Sequence, residues 1–131
     1  MEPPGAPTIL IADEDVGLVW WLGELLSDLG YRSLPALSSA DALSLLEKTG
    51  RQVDLFIVNP YLKGISRVIE ALSIPGPLRL IFIEGPEGHT GSNLEPLAVL
   101  ERPSGWGPIS RGEWRQKLQR LLVQVGLRAA S

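Results

Sequence analysis

The chain has no cysteine. That excludes disulfides, thiol catalysis and zinc–thiolate sites, and it fits a reducing cytoplasm, the expected location. Histidine occurs once, as His89, among glycines and without an Asp–Ser partner pattern, so acid–base chemistry centred on it is not indicated. Basic blocks are also missing. The nearest approach is Arg111, Arg115, Lys117 and Arg120, which read as the solvated face of a helix. With a net charge of −3 and no Lys/Arg stripe, nucleic acid is not an expected partner. No apolar run approaches the roughly 18 residues of a membrane span. Met1 to Pro7 is proline-rich without the basic-then-apolar order of a secretion signal. Gly85, Gly88 and Gly91 match no phosphate-cradling pattern, and no Lys-Ser/Thr follows them.

What is present suits one globular domain. The 131 residues are 44% hydrophobic and 21% charged, enough apolar material for a single core. The expected layout is a tail at 1–7, a domain at 8–127 and a short tail at 128–131. Thr8-Ile9-Leu10-Ile11-Ala12 is a short apolar run with β-branched residues, stopped by Asp13-Glu14-Asp15, which suits a strand buried on both faces. A helix follows over about Val16 to Leu29, closed by Gly30. At 100° per residue, Leu18, Leu22, Leu25, Leu26 and Leu29 share a stripe, with Trp21 at its edge and Trp20 opposite.

The pattern then repeats. Tyr31 to Leu37 reads as a strand, placed at a sheet edge by Pro35. Ser38 or Ser39 caps a helix running to about Thr49, with Ala42, Leu43, Leu45 and Leu46 inward and Gly50 closing it. Strands are expected at Val53 to Val58, Leu78 to Ile83 and Leu97 to Leu100, and a short helix at Ile65 to Leu72. Gly85 to Pro96 holds three glycines and two prolines and reads as a loop. Ser104 to Pro108 reads as a turn. The last helix, about Arg111 to Val125, carries Trp114, Leu118, Leu121, Leu122 and Val125 on one face. Strands alternating with helices imply an α/β fold with a mainly parallel sheet. Functional groups then belong outside the carboxyl ends of the strands. Those ends offer Asp13, Glu14 and Asp15, then Asn59, Glu84 and Arg102.

In this arrangement the chain resembles the response-regulator receiver family. Ile9 to Asp15 looks like that family's first strand and acidic cluster. Leu29-Gly30-Tyr31 looks like its first helix end, and Ala36 to Leu46 like its second strand end and second helix. Asp54 to Asn59 looks like the strand that ends in the phospho-accepting aspartate. Glu101-Arg102-Pro103 looks like its fifth-strand Lys-Pro. The resemblance covers about residues 8 to 126. It implies a doubly wound, five-stranded parallel sheet in the order 2-1-3-4-5, with the fourth helix shortened or replaced by the Gly-rich loop.

The departures from the family sit at its chemical positions. Where the family has its acceptor Asp, this chain has Asn59, a neutral amide and a poor nucleophile. Pro60 removes the backbone N–H whose attack would convert that Asn to Asp. Glu84 replaces a phosphate-binding Ser or Thr and would repel a phosphoryl group at contact. Arg102 replaces Lys with different reach and geometry. Tyr61-Leu62-Lys63-Gly64 lacks the family's proline, and Val99 stands where its switching aromatic often sits.

These departures lead to a non-enzymatic pseudo-receiver, a cytoplasmic module for protein–protein interaction in two-component-type signal transduction. Asp13, Glu14, Asn59, Glu84 and Arg102 form its degenerate phosphoacceptor pocket. Asp13 and Glu14 offer at most a weak Mg²⁺ site, and alternatively pair with Arg102, as Glu84 also could. The expected partner is another signalling protein, with a homodimer through the last helix or Trp20 left open. Val19 and Trp20 are expected as an exposed apolar spot, and Trp106 in its Gly-flanked turn as a further contact, since exposed Trp is enriched at interfaces. Trp20 could instead be partly buried against the 31–37 connection or the loop in the 60s. Two alternatives stay open: a working receiver using Asp13, Glu14 or Asp15 as acceptor, and a small-ligand binder on a flavodoxin-like scaffold.

Overall fold

The computed structural model describes residues 6–49, 53–72, 80–84, 98–101 and 108–126, with side chains for all of these except 72, 84, 98, 101 and 108–111. The elements run β1 (Thr8–Ala12), α1 (Val16–Asp28), β2 (Arg32–Ala36), α2 (Ser39–Lys48), β3 (Leu55–Val58), α3 (Ile65–Leu72), β4 (Leu80–Glu84), β5 (Ala98–Glu101) and α4 (Pro108–Gln124). All strand pairs are parallel, and the order across the sheet is β2-β1-β3-β4-β5. This is the doubly wound sheet that the sequence implies. The Gly-rich stretch expected as a loop at 85–96 lies outside the described residues.

Strand alternation splits the core into two layers. Ile9, Ile11, Leu55, Ile57, Ile81 and Ile83 face α1 and α4, meeting Leu18, Leu22, Leu25, Leu26, Trp114, Leu118 and Leu122. Leu10, Ala12, Phe56, Val58, Leu80 and Phe82 face α2 and α3, meeting Ala42, Leu46, Ile65, Val68 and Ile69. Each central strand is therefore apolar on both faces, which explains the continuous hydrophobic runs in the sequence. Trp21 and Trp114 join α1 to α4 edge-to-face, with ring centroids 5.3 Å apart. The Lys117 Nζ lies 5.2 Å from the Trp114 ring centroid.

The helix ends follow the local chemistry. Asp15 caps α1, its carboxylate accepting from the Leu18 N–H. At the other end Gly30, with φ +94°, lets the Tyr31 N–H reach back to the Leu26 carbonyl at 2.9 Å. Ser38 caps α2 by accepting from the Asp41 N–H. Ser39 does different work: its hydroxyl donates to the Lys63 carbonyl at 2.6 Å, tying α2 to the β3–α3 connection.

Two expectations need correction. Pro108, read as the end of a turn, is the first residue of α4, so that helix starts about a turn before the expected Arg111. Proline suits a first helical position because its fixed φ is helical and its missing N–H has no intrahelical partner there. Val19, expected beside Trp20 on the surface, is buried to 1% exposure. It lies on the side of Leu22 and Leu26, three and seven positions on, and widens the stripe that α1 lays on the sheet.

Candidate functional site

The carboxyl ends of β1 and β3 meet. Ala12 is in register with Val58, and the Asn59 N–H donates to the Ala12 carbonyl at 2.9 Å. Asp13 and Asn59 therefore leave neighbouring strands side by side, and they are the two buried polar residues of the described chain. Asp13 is held by its own surroundings. Its N–H donates to the Ala36 carbonyl at 3.1 Å, and its carboxylate accepts from the Asp15 N–H at 2.9 Å.

The three acids after β1 thus have three different fates. Asp13 is buried at the strand end, Glu14 is exposed, and Asp15 caps α1. Glu84 is the last residue of β4, in register with Glu101 of β5. Its side chain, together with Arg102 and Trp106, lies outside the described residues. The side-by-side arrangement therefore joins Asp13 and Asn59, with Glu14 at the solvent edge.

Asn59 also shapes the chain that follows it. Its side-chain oxygen accepts from the Tyr61 N–H at 2.9 Å, and its carbonyl accepts from the Leu62 N–H at 3.1 Å. With Pro60 second in the turn, this is the residue order that a tight turn favours: Asn first, Pro next. The Tyr61 donor orients the amide, so its oxygen is committed to the turn. Gly64 completes the connection at φ +78°, a conformation that side chains rarely adopt.

The Mg²⁺ expectation can be tested against this donor set. Magnesium demands near-ideal octahedral oxygen geometry and is held through carboxylates. Here one carboxylate already accepts a backbone N–H, one amide oxygen is turned to Tyr61, and Glu14 stands exposed. Among the described residues no three His, Cys, Asp or Glu side chains converge on a common point.

One hollow adjoins this frame, and a second lies further along α1. One, of about 220 Å³, lies between the β3–α3 connection and β4, lined by Pro60, Leu62, Ile65, Ser66, Ile69 and Phe82. No group in that lining titrates, so it offers shape and no acid–base chemistry. The other, of about 280 Å³, lies between α1 and β2, lined by Trp20, Gly23, Glu24, Ser27, Ser33 and Pro35, with Val19 at its floor. Trp20 is 65% exposed on its wall. The sequence singles out Trp20 but not the groove. The signal for it is the small pair Gly23 and Ser33: a Cβ on Gly23 would come within 3.2 Å of the Ser33 hydroxyl.

No family model matches this sequence, and no curated protein matches it. Solved structures do match the fold. A response regulator receiver protein from Burkholderia phymatum superposes with a TM-score of 0.66 at 18% identity, covering 95% of this chain and 99% of the other. A response regulator receiver protein from Sinorhizobium medicae WSM419 gives 0.62 at 22% identity, covering 94% and 99%. A structure of the P1 domain of CheA3 in complex with CheY6 from R. sphaeroides gives 0.64 at 14% identity, covering 89% and 96%. At these identities the likeness is one of fold, and it agrees with the strand order described above.

Proposed function

We propose that this chain is a receiver-fold module of two-component-type signalling that acts by binding another protein and accepts no phosphoryl group. The observation that carries the reading is Asn59. At the end of β3 it puts an amide where a nucleophilic carboxylate would be needed, and that amide's oxygen is engaged by the Tyr61 N–H. The neighbouring Asp13 is buried and bonded to its own loop. A covalent step requires an accessible, activated nucleophile, and neither residue offers one.

A protein partner is the counterpart of this reading. One structural neighbour is the P1 domain of CheA3 in complex with CheY6. No helix among the described residues is long and apolar enough to cross a membrane, and the chain's net charge is −3. That charge does not favour nucleic acid as the ligand.

The test is chemical. The purified chain is incubated with acetyl phosphate and Mg²⁺ and examined by intact-mass spectrometry, then titrated calorimetrically with Mg²⁺ with and without beryllofluoride. The expected outcome is an unmodified mass and no heat beyond dilution. A phosphoryl adduct, or saturable binding of Mg²⁺ with beryllofluoride, overturns the reading.

A further inference from the structure

The outward side of α4 carries a regular exposed stripe. Trp114, Leu118 and Leu122 turn the helix onto the sheet. Away from them, Gly112, Gln116, Gln119 and Val123 recur at intervals of four, three and four, so they share an arc of about 60° at 100° per residue. All four are exposed, Val123 to 65%. Gln116, Gln119 and Val123 line a shallow depression there together with Arg120. This is the spacing of the seam that one helix offers to another in a helix pair.

Gly112 has no role within the single chain. It lies inside α4, past the first turn, where glycine is a poor helix former. A Cβ on it would meet nothing within 4 Å, so no contact among the described residues requires the missing side chain. A glycine on a helix surface does, however, let something from outside approach the backbone closely.

The charges beside the stripe complement their own copies. Glu113 and Arg120 lie on one flank of it, two turns apart, and both are exposed. Neither is ion-paired among the described residues. In a second α4 laid antiparallel, with the two-fold axis at the level of Lys117 and Leu118, Gly112 of one copy stands opposite Val123 of the other, and Gln116 opposite Gln119. The two-fold axis keeps like flanks on one side, so Glu113 of each copy meets Arg120 of the other. A parallel pair would instead set Arg115 against Arg120 of the other copy, a like-charge contact. The remaining cations do not oppose the antiparallel arrangement. Lys117 stays with its own Trp114, 5.2 Å from the ring centroid. The two copies of Arg115 occupy the other flank, about 7 Å apart along the axis at 1.5 Å per residue.

We infer that α4 is a self-association helix: two copies of this chain pair antiparallel through Gly112, Gln116, Gln119 and Val123, held in register by reciprocal Glu113–Arg120 ion pairs. Val123 of each copy covers the open space at Gly112 of the other, and the central glutamine amides bond across the axis. Polar residues in a seam fix register at a cost in affinity, so the dimer is a dissociable one. This inference goes beyond the proposed function, whose partner is a different protein.

The purified full chain is followed by sedimentation equilibrium from about 10 μM to about 1 mM, the range in which weak association is read. The weight-average mass is expected to rise from that of one chain toward that of two. Glu113→Arg and Arg120→Glu each put like charges opposite one another and are expected to weaken association at least tenfold. The double variant restores it to within threefold of wild type. An equimolar mixture of the two single variants also associates, because each chain then presents the charges that the other lacks. Both positions are exposed, and circular dichroism is expected to show native folding throughout. Gly112→Gln separates pairing from folding: it is expected to raise the thermal midpoint in dilute solution, as a better helix former in open space, while weakening association at least tenfold. A chain that stays monomeric up to the highest concentration, association indifferent to either charge reversal, or no recovery in the double variant and the mixture overturns the inference. So does association that Trp20→Ala abolishes, since the copies would then meet at the α1–β2 groove. Phosphoryl labelling of the chain would sink the proposed function and leave these association results as they stand.

Discussion

At the scale of single residues, Asn59 joins two roles. It ends a strand beside a buried acid, and it opens a turn through its own side chain. Asn59→Asp tests both. A second buried carboxylate next to Asp13 faces desolvation and like-charge repulsion, so the variant is expected to lose about 1–2 kcal/mol of stability at neutral pH. Urea unfolding followed by circular dichroism measures it, and Mg²⁺ should recover part of the loss in the variant but none in the wild type. Asp15→Ala removes the cap of α1 and is expected to cost about 1 kcal/mol by the same assay. The acids were legible in sequence as a cluster at a strand end. Their division into a buried acid, an exposed acid and a helix cap was not, because it depends on which backbone N–H each carboxylate meets after the chain turns into α1.

At the scale of elements, the contact between α1 and β2 is unusually close. Gly23 sits in the helix interior, where alanine would ordinarily be favoured by about 1 kcal/mol. Here an added Cβ meets the Ser33 hydroxyl, which in turn donates to the Gly23 carbonyl at 3.4 Å. The expectation is a sign change between backgrounds. Gly23→Ala is neutral or destabilising alone, and stabilises by about 0.5–1 kcal/mol once Ser33 is alanine, where only the propensity gain remains. A double-mutant cycle of unfolding free energies decides it. Helical spacing found every described helix and the inward face of α1 except Val19. That residue lies at the margin of a stripe whose width is set by the sheet beneath it, and period alone does not give width. The start of α4 escaped for a related reason: Pro108 belongs to the helix through its backbone, while its apolar face begins later with Trp114.

At the scale of the whole molecule, one sheet supports two cores. Phe56 belongs to the layer under α2 and α3, and Ile57, its neighbour in β3, to the layer under α1 and α4. Truncation on either side removes support from the same strand. Phe56→Ala is expected to cost about 3–5 kcal/mol and Ile57→Val about 0.5–1.5 kcal/mol. Both should lower a single cooperative thermal transition seen identically by far-ultraviolet circular dichroism and by calorimetry; two separated transitions would contradict it. The order of strands was legible because buried parallel strands write themselves as unbroken apolar runs and because the chain's alternation resembles a known family. The groove beside Trp20 was not legible, since it is assembled from a helix face and an edge strand whose residues interleave only in space. The indole pair of Trp21 and Trp114 gives this architecture an optical signature of its own. Two chromophores crossed at 68° in van der Waals reach couple their electronic transitions, so the native chain should carry an exciton couplet in its ultraviolet circular dichroism. The Trp21–Trp114 contribution needs both rings, one from each helix, so the part of the couplet lost in Trp114→Phe reads out the seating of α4 on α1 without any added label.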